Sequence, residues 1–74
     1  CEGDYVLAER TTQVRDGDIV VALLGDQATL KRYYRESPEV VRLQPANERM
    51  RPIFVPAADL QLQGRVISVM RRYR

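Results

Sequence analysis

The chain contains a single lysine, Lys31, within the string ATLKR at positions 28–32. The other eleven basic residues are arginines, which keep their proton in proteins because the guanidinium pKa stays above about 12. A desolvated lysine can be neutral near physiological pH, and it can then take a proton from a serine hydroxyl. Lys31 is therefore the candidate general base. The alternative is that Lys31 is an ordinary solvated strand residue.

The chain has no histidine. This excludes a Ser-His-Asp triad, a Cys-His pair and any histidine-ligated metal site. Ten aspartates and glutamates are present, but most lie beside glycine in turn-like strings, which is typical of solvated loops. We therefore expect neither a cofactor nor a metal ion.

Cys1 is the only cysteine, so no internal disulfide can form, which fits a cytoplasmic protein. As the first residue it could also be an N-terminal nucleophile, although no neighbouring base is visible. Because the chain does not begin with Met, we expect a piece of a longer protein. No apolar run approaches the ~20 residues that span a bilayer, so we expect no membrane contact. The net charge of +2 is too small to indicate a nucleic-acid surface by itself.

Short runs rich in β-branched and aromatic residues alternate with turn signals along the whole chain. The run IVVALL at 19–24 is almost wholly apolar, which indicates a central strand covered on both faces. Lys31 falls in the middle of the next strand. Pro52 and Pro56 bound the run IFV, which indicates an edge strand, and residues 57–60 are expected to form a loop. The predicted strands are residues 5–10, 19–24, 27–36, 40–43, 53–55 and 65–71.

Six short strands with a turn every eight to twelve residues predict one all-β domain over residues 1–74. The expected architecture is a small sandwich or a partly open barrel of mostly antiparallel strands. No helix of normal length and no second domain is predicted.

The string ATLKR, following DGDIVVA at 16–22, resembles the C-terminal self-cleaving peptidase domain of the LexA repressor family. Further similar segments are LQPAN at 43–47, PIFV at 52–55 and GRVISVMR at 64–71. The resemblance covers essentially all 74 residues and implies the fold shared by LexA and signal peptidases. It also implies a Ser-Lys dyad with Lys31 as the general base.

The family's nucleophile lies in a Gly-x-Ser-Met segment, which the resemblance places upstream of Cys1. Ser37 and Ser68 match structural positions of the family pattern, so neither is assigned the nucleophile's role. The expectation is a partial C-terminal catalytic and dimerisation domain that is inactive without its serine.

For the intact parent, the resemblance implies a repressor of DNA-damage genes that cleaves its own chain when a RecA filament stabilises the competent conformation. It also implies operator binding by an upstream winged-helix domain, a homodimer formed through the last strand, and no small-molecule ligand. The alternatives are a UmuD-like mutagenesis protein, a non-catalytic basic β-barrel binding module, and a signal-peptidase relative with an upstream anchor.

Overall fold

The computed structural model describes residues 4–45 and 49–71, with side chains described for 7–45 and 49–67. All six strands of these ranges belong to one antiparallel sheet, in the order β1-β6-β2-β3-β4-β5. The all-β class is therefore confirmed, and the strands form one open sheet rather than the two sheets of a sandwich. The strands are β1 (Asp4–Glu9), β2 (Ile19–Leu24), β3 (Gln27–Arg35), β4 (Val40–Gln44), β5 (Ile53–Pro56) and β6 (Gln61–Arg71).

A tight hairpin joins β2 to β3 through Gly25 and Asp26. Gly25 has a φ of +63°, which the first central position of a two-residue type II′ turn requires and which L side chains rarely adopt. The turn fixes the register, so Val20 stands opposite Lys31 and Ala22 stands opposite Thr29. Because side chains alternate along a strand, these four residues share one face of the sheet.

The core lies on that same face. Its fully or nearly fully buried members come from three neighbouring strands, and each such side chain stabilises the fold by roughly 1.5–3 kcal/mol. The sequence predicted that both faces of β2 are covered. Only alternate residues of β2 are fully buried, so one face of this strand is covered by the core and the other is not. The buried residues are Val20, Ala22, Tyr33, Val41 and Leu43.

Strand β6 is longer and more central than the sequence indicated. It begins at Gln61 rather than at residue 65, so Gly64 lies inside it. It pairs with β1 over residues 65–71 and with β2 over residues 61–65, with a register irregularity in each ladder. The last strand is therefore not an edge strand of the sheet, but each part of it other than Arg65 is paired with a described strand on one flank only. Within the described ranges, residues 66–71 have no strand on the flank that faces away from β1.

The remaining predictions are mostly confirmed. Lys31 lies mid-strand, and β5 is an edge strand, as its flanking prolines indicated. The expected loop at 57–60 contains a 3₁₀ turn, Ala57–Asp59, which is too short to be a helix of normal length. Cys1 and two residues of the expected turn at 45–47 lie outside the described residues.

Candidate functional site

Lys31 stands in the interior of the sheet, between β2 and the end of β4. Its cross-strand neighbour Val20 is fully buried, and its neighbours along the same face of β3 are Thr29 and Tyr33. On the β4 side, Arg32 pairs with Gln44, which brings the buried Pro45 beside Lys31. The aliphatic part of the lysine thus lies among side chains of the core face.

A neutral amine requires desolvation, so the role of general base predicts a largely buried Lys31. That prediction is wrong for this chain, in which the Lys31 side chain is half-buried. Its Nζ donates to the carbonyl oxygen of Leu30 at 3.5 Å, at the outer limit of a hydrogen bond and open to solvent. Two ion pairs of the described residues join other groups, Arg42 with Glu36 and Arg65 with Glu9. An amine held this loosely can turn toward a further group placed over it.

The turn at residues 16–18 extends the β2–β3 ladder beyond the first residue of β2. The amide of Gly17 donates to the carbonyl of Tyr33 at 2.8 Å, and the amide of Tyr33 donates to the carbonyl of Asp18 at 2.8 Å. On the opposite face of the sheet, Arg32 Nη1 donates to the carbonyl of Gly17 at 2.7 Å. Strand β3 is therefore bound to the turn at residues 16–18 at both Arg32 and Tyr33. Tyr33 is two residues from Lys31.

Arg35 ties the β3–β4 connection to the core. Its Nε donates to the carbonyl of Ser37 at 2.9 Å, its Nη2 to the carbonyl of Pro38 at 2.8 Å, and its Nη1 to the hydroxyl of Tyr33 at 3.3 Å. Tyr33 is only 6 % exposed. Sequence reasoning missed this role, since the only signal was that Tyr33 and Arg35 fall on one strand face.

Arg65 occupies the same row of the core face as Lys31. Val20 of β2 stands opposite Lys31 in the β2–β3 ladder and opposite Arg65 in the β2–β6 ladder. The guanidinium of Arg65 donates to Glu9, its partner across the β1–β6 ladder. That hydrogen bond and the charge of Glu9 raise the pKa of Arg65 above its ordinary value, so Arg65 stays cationic. The sequence alone gave no reason to pair these two residues.

Neither serine is placed as a partner for Lys31 by the described geometry. The Ser37 Oγ accepts from the amides of Glu39 and Val40, which makes it a turn residue. It lies six residues beyond Lys31, roughly 20 Å along an extended chain. Ser68 stands opposite Leu7 in the β1–β6 ladder, and its side chain lies outside the described ones.

No group of three or more cysteine, aspartate or glutamate side chains among the described residues is arranged to hold a metal ion. No helix of the described chain has the length and apolar character needed to cross a bilayer.

Comparison with known proteins assigns the family. The Peptidase S24-like family profile matches residues 1–67. Proteins named LexA repressor are similar over nearly the whole chain: 60 % identity over 73 residues in Koribacter versatilis, 46 % over 72 in Clostridium tetani and 43 % over 74 in Myxococcus xanthus. The matches cover 97 %, 97 % and 96 % of this chain but 34 %, 34 % and 33 % of those relatives. The chain belongs to the Peptidase S24-like family and spans about a third of the length of these repressors.

Proposed function

We propose that residues 1–74 are the greater part of the C-terminal catalytic and dimerisation domain of a LexA-like repressor of DNA-damage genes. Family membership and the names of the relatives support this assignment. The observation that carries it is the place of Lys31, the chain's only lysine, in the middle of a strand paired on both sides and on the core face.

In the proposed reaction, the amine of Lys31 takes the proton from a serine hydroxyl that the parent protein supplies upstream of Cys1. The serine oxygen attacks the carbonyl carbon of an Ala-Gly type bond in the same chain, and backbone N–H groups stabilise the oxyanion. The lysine then gives its proton to the leaving amine as the peptide bond breaks. Water hydrolyses the resulting acyl-enzyme and restores the serine.

The surroundings of Lys31 suit this role. Fully buried Val20 and nearly buried Tyr33 flank its stem, so the amine approaches an apolar surface from one side. Its Nζ is held only by the long bond to the Leu30 carbonyl. A serine-bearing segment packed over this face would exclude water from the amine and favour its neutral form.

The partners in this proposal are those of an SOS repressor in the cytoplasm: a RecA filament that promotes self-cleavage, operator DNA bound by an upstream domain, and a second copy of the chain. We place the second copy along residues 66–71 of β6, on the flank that has no strand beside it within the described ranges. An open strand flank offers a row of backbone donors and acceptors to a matching strand.

The test is self-cleavage of the full-length parent at alkaline pH, followed by gel electrophoresis and mass spectrometry of the products. Lys31→Arg should fold and fail to cleave at every pH tested, because guanidinium keeps its proton. The matched control is Gln27→Arg, which adds a guanidinium at an exposed position of the same strand and should leave cleavage unchanged.

Cleavage of the Lys31→Arg variant at the normal rate would exclude Lys31 as the base. Failure of both variants would point to a general sensitivity of β3 to arginine. In that case Lys31→Met, which keeps the length of the stem but has no basic nitrogen, provides the second measurement of the same role.

A further inference from the structure

The outer face of the sheet, opposite the core, carries a row of three planar side chains. Tyr34 of β3 stands opposite Arg42 of β4, and Arg42 stands opposite Phe54 of β5. Side chains directly opposite each other across a ladder lie on the same face, and neighbouring strands are about 4.8 Å apart. The two aromatic residues are therefore about 10 Å apart with a guanidinium between them.

The guanidinium of Arg42 is held in place by three groups. Its Cζ lies 4.3 Å from the centre of the Tyr34 ring. Its Nε donates to Glu36 Oε2 at 2.6 Å, and its Nη1 donates to Gln44 Oε1 at 3.3 Å. Phe54, on the other side of Arg42, is 59 % exposed. The row thus presents the fixed guanidinium plane of Arg42 beside the solvent-exposed ring of Phe54.

The row of Tyr34, Arg42 and Phe54 has a second arginine beside it, Arg32. Arg32 lies on the same face between Leu30 and Tyr34, and its hydrogen bond goes to the uncharged carbonyl of Gly17, so its charge is not neutralised by that contact. The acidic group at the row is Glu36, which Arg42 already binds. An occupant with negative charge is therefore favoured.

The geometry points to single-stranded nucleic acid as the ligand of this face. Bases stack on aromatic rings and on arginine planes, and sheet faces with such residues on neighbouring strands bind unpaired bases. Here one base would stack on Phe54, the next would lie against the Arg42–Tyr34 pair, and Arg32 would contact a phosphate. This activity goes beyond the proposed repressor and peptidase functions, since it uses the face of the sheet opposite Lys31.

An acidic protein partner fits the same face less well. Leu30 of β3 is 42 % exposed, and Val21 of β2 stands opposite it on this face. Leu30 lies four residues from Tyr34 along β3, roughly 13 Å away. Arg32 and the Tyr34–Arg42 pair separate these aliphatic residues from Phe54, so the two apolar regions do not join into one continuous patch of the kind found at the core of a protein interface.

The experiment uses fluorescence anisotropy to measure the affinity of the full-length protein for a labelled oligothymidylate of fifteen nucleotides, at two salt concentrations. Phe54→Leu removes the ring but keeps an apolar strand residue, and it should weaken binding about fivefold or more. Leu7→Val is the matched control, since Leu7 is a similarly exposed apolar residue on β1, at 53 %, and it should not change affinity. Arg32→Gln should reduce the salt slope by about 0.7.

Three results would overturn this assignment. The first is no binding at low salt, and the second is equal affinity of the Phe54→Leu and Leu7→Val variants. The third is displacement of the oligonucleotide by polyglutamate at equal charge, which would indicate a site for acidic protein segments. Circular dichroism of each variant confirms that a lost affinity does not come from a lost fold. The same titration with operator duplex reports on the upstream domain and should not depend on Phe54.

Discussion

Gly64 lies in β6 beside the end of β1, and replacing it with alanine gives a sharp test of this packing. Gly64 is buried, and a Cβ placed on it would lie 2.7 Å from the carbonyl oxygen of Glu9. The same Cβ would lie 3.5 Å from the Glu9 carbonyl carbon and 3.7 Å from the Ala8 Cβ. Because the nearest atom belongs to the backbone, no side chain can rotate away to make room.

The cost of Gly64→Ala can be worked out from opposing terms. Overpacking against a fixed neighbour costs roughly 1–3 kcal/mol. Replacing glycine by alanine stabilises by about 0.4–1 kcal/mol, chiefly because the unfolded chain loses freedom. The midpoints of the two ranges give an expected net loss of about 1.3 kcal/mol. For a domain of this size, that loss corresponds to a fall in Tm of about 5–10 °C.

Urea unfolding of the Gly64→Ala chain, followed by circular dichroism, measures the loss, and amide hydrogen exchange locates it. Exchange should accelerate along β1, since β1 has to move away from β6. The control is Gln63→Ala at the neighbouring exposed position, which should stay within about 0.5 kcal/mol of the parent sequence. A Gly64→Ala chain as stable as the parent, with β1 amides equally protected, would refute the close approach of these strands.

Three further predictions follow from the described contacts. Arg35→Gln should destabilise the chain by about 1–3 kcal/mol in urea unfolding, since two hydrogen bonds to the β3–β4 connection and one to the Tyr33 hydroxyl are lost. Ile67→Pro should convert a full-length dimer into monomers at tens of micromolar in sedimentation, because proline removes a donor from the proposed pairing flank. An unchanged dimer would exclude that flank. The 74-residue chain alone should show no self-cleavage at alkaline pH and no retardation of operator DNA. New peptides or a shifted band would place the chemistry within the chain itself.

Most of the fold could be predicted from local sequence patterns. The run IVVALL and the Gly25-Asp26 turn specify a hairpin through strand propensity and turn geometry, and β2 has the predicted bounds. The prolines around β5 identified an edge strand because proline cannot donate to a ladder. These signals are local, so they need no knowledge of which strands meet.

The errors concern long-range pairing. The insertion of β6 between β1 and β2 depends on contacts between residues far apart in sequence, such as Glu9 with Arg65 and Val20 with Arg65. No periodicity reports such a contact. Gly64 was expected before the last strand because glycine usually interrupts strands, whereas here it allows a close backbone approach.

For the site, residue type identified Lys31 and strand periodicity placed it mid-strand. Its degree of exposure could not be predicted in the same way, since exposure depends on what packs over the face. The network of Arg35 was also missed, because its partners are backbone carbonyls, which the sequence does not distinguish.

The strand order also has a consequence for the time course of synthesis. Strands β2 to β5 pair with their sequence neighbours and can assemble as each leaves the ribosome, whereas β1 has β6 as its pairing partner among the described strands. The first strand therefore waits unpaired while five others are made, and closing that long loop is entropically slow. When β6 arrives, it captures β1, completes the row that contains Lys31, Val20 and Arg65, and creates the flank proposed for dimerisation. A nascent chain would thus complete the row around Lys31 and the proposed pairing flank in a single late step, and until then the unpaired flanks of β1 and β2 would be open to association with other chains.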